Sequence, residues 1–218
     1  MRLELRWYRV NFTSLDFLRT FFISKDTMMK KTYRHMPTII FQDIMLRTIK
    51  ITDANDMFEY GKDPVVTKFL TWGPFTDLRE AKDSIIEIFF PRLKQGLPIG
   101  YAIIDTKHQK MIGTIDFHTK QSDGAEIGYV LHKDYWNQGI MSWALQLMIK
   151  LGFEHLHYDK IYIKHVKSNI ASQKVIEKSI FKKIKVEPIM IKKWHGSIVD
   201  DLYMYEVTKE NYYGNKQS

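Results

Sequence analysis

The chain reads as a single α/β domain of the α+β kind: one mixed, mostly antiparallel central sheet of about seven strands flanked by about four helices. Three observations predict this. Ile99–Asp105 and Met111–His118 alternate apolar and polar residues on either side of a polar turn at Thr106–Lys110, the pattern of a hairpin. A third strand, Ala125–Leu131, follows the turn Gln121–Gly124. It runs through a polar bend and Gly139 into a stretch where Met141, Leu145, Met148 and Ile149 recur at helical spacing. Phe181–Ile191 and Ile198–Val207 pair around the turn signal His195-Gly196 and close the sheet. With 218 residues, 44% hydrophobic and 14% aromatic, the chain has enough apolar material for one well-buried domain and is too apolar for disorder.

The remaining elements follow in order. Residues 1–35 form a basic leader without a clear period, read as weakly structured or accessory, and the domain proper spans 36–210. Ile44–Ile49 is a strand, and Thr52 or Asp53 caps a helix through Tyr60 that Lys62-Asp63-Pro64 breaks. A second helix is predicted from about Asp77 to Lys94, on the stripe Ala81, Ile85, Ile88 and Phe89. Between these two helices lies an aromatic loop, Phe69–Pro74. The helix that starts at Gly139 ends near Gly152 or His155, Lys160–Val166 is the next strand, and Asn169 caps a helix to Ser179. The tail 211–218 is expected to be loose.

Composition removes several function classes. The net charge is +8, but the leader through Arg34 holds eight Lys or Arg against three acids, so the body is only mildly basic and nucleic acid is a disfavoured partner. There is no cysteine, hence no disulfide framework, thiol nucleophile or thiolate metal site. No apolar run approaches the roughly 18 residues of a membrane span, so no membrane partner is expected and the location reads as cytoplasmic. The pair His155 and His157 beside Glu154 lacks a third ligand in register, and no metal is expected. A monomer and a homodimer are both compatible with the sequence.

The stretch Ala125–Leu145 is where chemistry is legible. Strand alternation puts Glu126, Gly128 and Val130 on one face, so a carboxylate stands within an otherwise apolar strand. The following strand-turn-helix gathers free main-chain N–H groups and the positive end of a helix dipole at one spot, which suits a phosphate or diphosphate. A lone glycine turn of this kind also occurs where it serves packing alone.

The segments AEIGYVL, YWNQGIMS and SNIASQKVIEKSIF, in this order and spacing, resemble the GNAT superfamily of acetyl-CoA-dependent N-acyltransferases, and within it the Rim-type branch that acetylates N-terminal amines of ribosomal proteins. The likeness starts at Met36 and extends to Val207. It implies acetyl-CoA as co-substrate, gripped by the main chain of Gln138, Gly139, Ile140, Met141 and Ser142, with Val130 and Leu131 along the strand and Asn169 across the cleft. It implies Glu126 as general base, with a pKa raised by partial burial, and Ser172 as the group that protonates the departing thiolate. Ser172 falls three residues after Asn169, where a hydroxyl also commonly caps a helix. Of the family's Arg/Gln-x-x-Gly-x-Gly/Ala pattern only Gly139 agrees strictly, since Trp136 and Met141 depart from it. Ile180 stands where the family usually has a glycine, so the helix before it must end by another route. The implied acceptor is a primary amine, first a ribosomal protein or other peptide N-terminus, entering between the Trp72 loop and the His195 turn. A polyamine, an amino acid, an aminoglycoside, or a non-catalytic acyl-CoA-binding module are the alternatives.

Overall fold

A computed structural model describes residues 36–194 and 196–214; the leader 1–35, His195 and residues 215–218 lie outside the described residues, and the expectation for the leader with them. The strands are β1 (Ile39–Phe41), β2 (Ile44–Thr48), β3 (Tyr101–Asp105), β4 (Lys110–Lys120), β5 (Gly124–Leu131), β6 (Lys160–Val166), β7 (Lys182–Lys192) and β8 (Ser197–Thr208). They form one sheet in the order β1-β2-β3-β4-β5-β6-β8-β7, in which β5 and β6 are the parallel pair and every other neighbour is antiparallel. The strand beyond the predicted set is β1, three residues folded back on β2 through Gln42 at φ 52. A turn without glycine or proline gave no signal for it.

Five helices accompany the sheet among the described residues: α1 (Ala54–Gly61), α2 (Leu78–Ser84), α3 (Ile140–Glu154), α4 (Ile170–Glu177) and α5 (Lys209–Gly214). The Asp77 carboxylate caps α2 by accepting the Glu80 N–H at 3.1 Å. The helical path continues as a π turn over Ile85–Phe89 and a 3-10 turn over Phe90–Gln95, ending at Gly96 with φ 72. The long predicted helix is thus one continuous run with three hydrogen-bond patterns. Pro91 has no N–H to give the ladder, and the registers change around it.

Strand alternation divides the core in two. On β3, Tyr101 and Ile103 join Leu145, Met148 and Phe153 of α3, whereas Ala102 and Ile104 join Met57 and Tyr60 of α1 and Ala81 of α2. All five β3 residues are buried, as a strand covered on both faces requires. The tail departs from expectation: Asn211–Gly214 belong to α5, because Tyr212 stacks on Phe153 at 4.9 Å and donates its hydroxyl to Glu154 at 2.6 Å. Helix α4 ends without the missing glycine because the Ser179 hydroxyl and N–H both donate to the Ile176 carbonyl, at 2.6 and 3.0 Å.

Asp105, at the end of β3, ties the sheet to the bend after β5. It accepts from the Tyr135 hydroxyl at 2.8 Å and from the main-chain N–H of Lys107 at 2.9 Å, and lies 2.6 Å from His108 Nδ1. Burial works to raise its pKa, but the bonds from His108, Tyr135 and the main chain outweigh it and lower the value to about 2. A depressed carboxylate stabilises the fold above its unfolded pKa, and that contribution is lost as pH falls through the folded value. We expect Asp105→Asn to cost on the order of 1–3 kcal/mol, or roughly 2–4 °C in Tm per kcal/mol. Melts of both proteins across acidic pH should show a gap that is constant above about pH 4 and narrows toward pH 2.

Candidate functional site

Strands β5 and β6 pair only from Gly124–Lys160 to Ile127–Ile163. Beyond that they part, and the opening is continuous with two clefts. One, of about 730 Å³, is lined by Tyr129, Val130 and Leu131 of β5, the turn around Gly139, and Asn169 to Ser172 at the start of α4. The other, of about 510 Å³, is lined by Trp72, Arg92, Asp116, His118, Glu126 and Lys164, among others. Tyr129, Val130, Asn169 and Ser172 line both, so they mark the passage between the two.

The first cleft is closed by the turn into α3. Gly139 has φ 79 and ψ −5, and two residues earlier Asn137 has φ 60. A Cβ on Gly139 would meet nothing within 4 Å, so the position needs glycine for its left-handed backbone, not for space. Among the described residues, none of the main-chain N–H groups from Gln138 to Ser142 donates to an acceptor; the first turn-closing bond is Trp143 N–H to Gly139 O at 3.0 Å. Trp136 explains one departure from the family pattern: its indole N–H donates to Leu131 O at 2.7 Å and pins the bend to the end of β5. Lys133 to Asp63 at 2.7 Å and Tyr135 to Asp105 hold the same bend from outside.

Of the residues expected here, Val130, Leu131, Gly139, Ile140, Met141, Ser142 and Asn169 line the cleft. Gln138 does not line it. Its side chain turns back to the Asp134 carbonyl at 2.9 Å, which leaves only its main chain available. Asn169 caps α4, its side-chain oxygen accepting the Ser172 N–H at 3.1 Å. The Ser172 hydroxyl therefore is not the cap; its side chain lies beside the Tyr129 hydroxyl.

Glu126 is 4% exposed and lies on an interior strand. One carboxylate oxygen is 3.2 Å from His118 Nε2 and the other 3.0 Å from Lys164 Nζ. Burial pushes its pKa up, yet His118 and Lys164 outweigh burial, and the net shift is below the ordinary glutamate value. The expected raised pKa is thus corrected: the sequence reading weighed desolvation without the two partners, which come from β4 and β6. The His118 contact depends on a bulge, since the register of β4 shifts between Phe117 and Thr119 opposite Glu126. It also depends on Gly128, where a Cβ would come within 2.6 Å of the imidazole.

Sequence reasoning passed over His118, Lys164 and the buried ion pair Arg92–Asp116, 2.7 Å apart. The signal was present in β4, where Thr114, Asp116 and His118 recur at every second position. The gap expected between the Trp72 loop and the β7–β8 turn is bridged. Trp194 N–H donates to Thr71 O at 3.1 Å, and Lys193 Nζ donates to the carbonyls of Thr67 and Lys68, both at 2.9 Å. Among the described residues, no three His, Cys, Asp or Glu side chains gather as a metal group, and no helix is long and apolar enough to cross a membrane.

Residues 43–182 match the acetyltransferase (GNAT) domain family. The chain belongs to this family. The enzyme is 31% identical over 183 residues to an uncharacterized N-acetyltransferase, p20, of Bacillus licheniformis, a match spanning 82% of this chain and all of that protein. Its fold is shared with a GNAT-family acetyltransferase from Bacillus anthracis, with TM-score 0.66, 23% identity and coverage of 80% of this chain and 99% of the other. It is shared also with the ribosomal-protein-S5-alanine acetyltransferase from Vibrio fischeri, with TM-score 0.63, 20% identity and coverage of 80% and 97%. As a GNAT N-acetyltransferase the enzyme draws on an acyl-CoA donor, and the run of unpaired N–H groups at the Gly139 turn fits that donor's diphosphate.

Gly139→Ala would place a Cβ on a residue near φ 79, at a cost of roughly 1–2 kcal/mol. We expect either a relaxed turn, with the KM for acetyl-CoA raised about tenfold, or a retained turn with Tm lowered by a few degrees. Steady-state kinetics and melts on the same preparation separate the two.

Proposed function

We propose that this enzyme moves an acetyl group from acetyl-CoA directly to a primary amine at a peptide or protein N-terminus, with Glu126 as general base. The observation that supports this reading best is the pair of clefts joined at Tyr129, Val130, Asn169 and Ser172, with free main-chain donors on one side and a buried carboxylate on the other. The N–H groups of Gln138 to Ser142 would hold the diphosphate. The edge of β5 beyond Ile127, unpaired toward β6, would offer hydrogen bonds to the amide-bearing arm of the donor.

The residues of the second cleft would handle protons. An amine arrives as ammonium and cannot attack until it loses one. His118 and Lys164 hold the Glu126 pKa below the ordinary glutamate value and so favour its ionised form, against the opposing effect of burial. Its oxygens are already paired, and an incoming ammonium must take the place of a partner. The Ser172 hydroxyl, at the passage, would donate to the sulfur as the C–S bond breaks. No Gly-x-Ser-x-Gly turn is present in the sequence, in keeping with direct attack.

A peptide acceptor is favoured by the fold shared with an acetyltransferase of ribosomal protein S5, and the absence of cysteine accords with a cytoplasmic enzyme. A panel of peptides with free N-terminal Ala, Ser or Met, set beside polyamines, amino acids and aminoglycosides, tests the acceptor class by thiol release. Release with the small amines alone would reject the peptide reading. On the best acceptor, Glu126→Gln should lower kcat by roughly 10²–10⁴ while leaving the KM for acetyl-CoA nearly unchanged. An unaltered kcat would remove Glu126 from proton transfer.

A further inference from the structure

The acceptor cleft holds a primary amine of its own. Lys164 lies on β6 just past the last residue paired with β5, its side chain 41% exposed and lining the same cleft as Glu126. Its Nζ stands 3.0 Å from a Glu126 oxygen, within the hydrogen-bond reach that a general base must have of the amine it deprotonates. The other Glu126 oxygen is taken by His118, whose Nδ1 lies 2.7 Å from the Thr119 hydroxyl. The ion pair is therefore built on the Lys164 side of the carboxylate, where an acceptor ammonium has to come. Among the lysine ion pairs of the described residues, that of Lys164 has the most buried carboxylate, 6% exposed against 18% for Asp63, the next most buried.

We propose that Lys164 is a self-acetylation site: with acetyl-CoA bound and no external acceptor in the cleft, the enzyme transfers the acetyl group to its own Lys164 Nζ. This rests on the reading of Glu126 as general base. The bond formed is Nζ to the acetyl carbon, and the bond broken is that carbon to the CoA sulfur. The ammonium begins with three N–H protons. Glu126 takes one and returns it to solvent, one ends on the sulfur, and the amide keeps the last. Acetyl-CoA is the sole co-reactant. The product lysine carries no charge, so it gives up the ion pair and leaves its acetyl group in the acceptor cleft. Self-acetylation would then slow transfer to external amines whenever acetyl-CoA is abundant and acceptor is scarce.

The experiment incubates the purified full chain with acetyl-CoA alone and follows each lysine by peptide mass spectrometry over time, for wild type and Glu126→Gln. The exposed Lys182 and Lys192 report uncatalysed acetylation. We expect Lys164 to be modified at least about tenfold faster than these two in wild type and no faster than them in Glu126→Gln, at a rate independent of protein concentration. N-hydroxysuccinimidyl acetate, which needs no enzyme, should give the reverse order, with Lys164 slower than Lys182 in wild type because its ion pair shields it. Prior incubation with acetyl-CoA should slow later transfer to the best amine of the panel in wild type, and not in Lys164→Arg. Acetylation of Lys164 at the surface-lysine rate overturns the proposal. If the panel amines are meanwhile acetylated in a Glu126-dependent way, the failure belongs to Lys164 alone; if Glu126→Gln is as active as wild type, the general-base reading has failed as well.

Discussion

The structure depends on where one parallel ladder stops. β5 and β6 hold each other for four residue pairs and then separate, although each continues for three or four residues more. Buried main-chain groups need partners, so strands that part inside a domain have to expose their edges to something. On the far side both are secured, β5 by antiparallel pairing to β4 and β6 by pairing to β8. The gap is thus an opening between two stiff half-sheets. Helix α3 starts at the end of one half and α4 at the end of the other, which sets the Gly139 turn and the Asn169 cap facing the same opening.

The two sides of the opening obey different electrostatics. Toward α3 the site is made of main-chain dipoles: unpaired N–H groups at a helix start, in a bend fixed by Trp136, Tyr135 and Lys133. Such donors are neutral, cannot titrate and are held in place by the fold, so side-chain identity within the turn matters little. Toward the π and 3-10 turns after α2 the site is made of charges paired before any ligand arrives: Glu126 with His118 and Lys164, and Asp116 with Arg92. A buried carboxylate without partners would be driven toward its neutral form. At Glu126 the partners His118 and Lys164 outweigh burial and lower the pKa, so the carboxylate is already occupied before a ligand arrives. Under the proposed function the acceptor side would work by exchange of one cation for another, with Lys164 the cation in place.

Much of this was legible in the sequence because it is local. The hairpin β3–β4, the strand carrying Glu126, the helix start at Gly139 and the Asn169 cap each follow from residues within a few positions of one another. The segments that resemble the Rim-type branch suggested roles for particular residues, and the family match bears out membership of the acetyltransferase (GNAT) domain family. What escaped the reading is set between elements distant in the chain. The direction of the Glu126 shift depends on a bulge in β4 and a lysine on β6. Tyr212 becomes helical because Phe153, far earlier in the chain, gives its ring a place to stack. The Trp72 loop and the β7–β8 turn touch through main-chain bonds that no side-chain pattern announces. Short β1 and the π turn before Pro91 are small adjustments that period counting does not resolve.

The central claim is that the main-chain amides from Gln138 to Ser142 bind the diphosphate of the acyl donor. Hydrogen–deuterium exchange with and without coenzyme A measures those amides directly, and CoA lacking its acetyl group leaves the chemistry out. The account predicts slowed exchange concentrated at Gln138–Ser142, with the rest of α3 little changed. Unaltered exchange at these five residues under saturating coenzyme A, with protection appearing elsewhere, would contradict it.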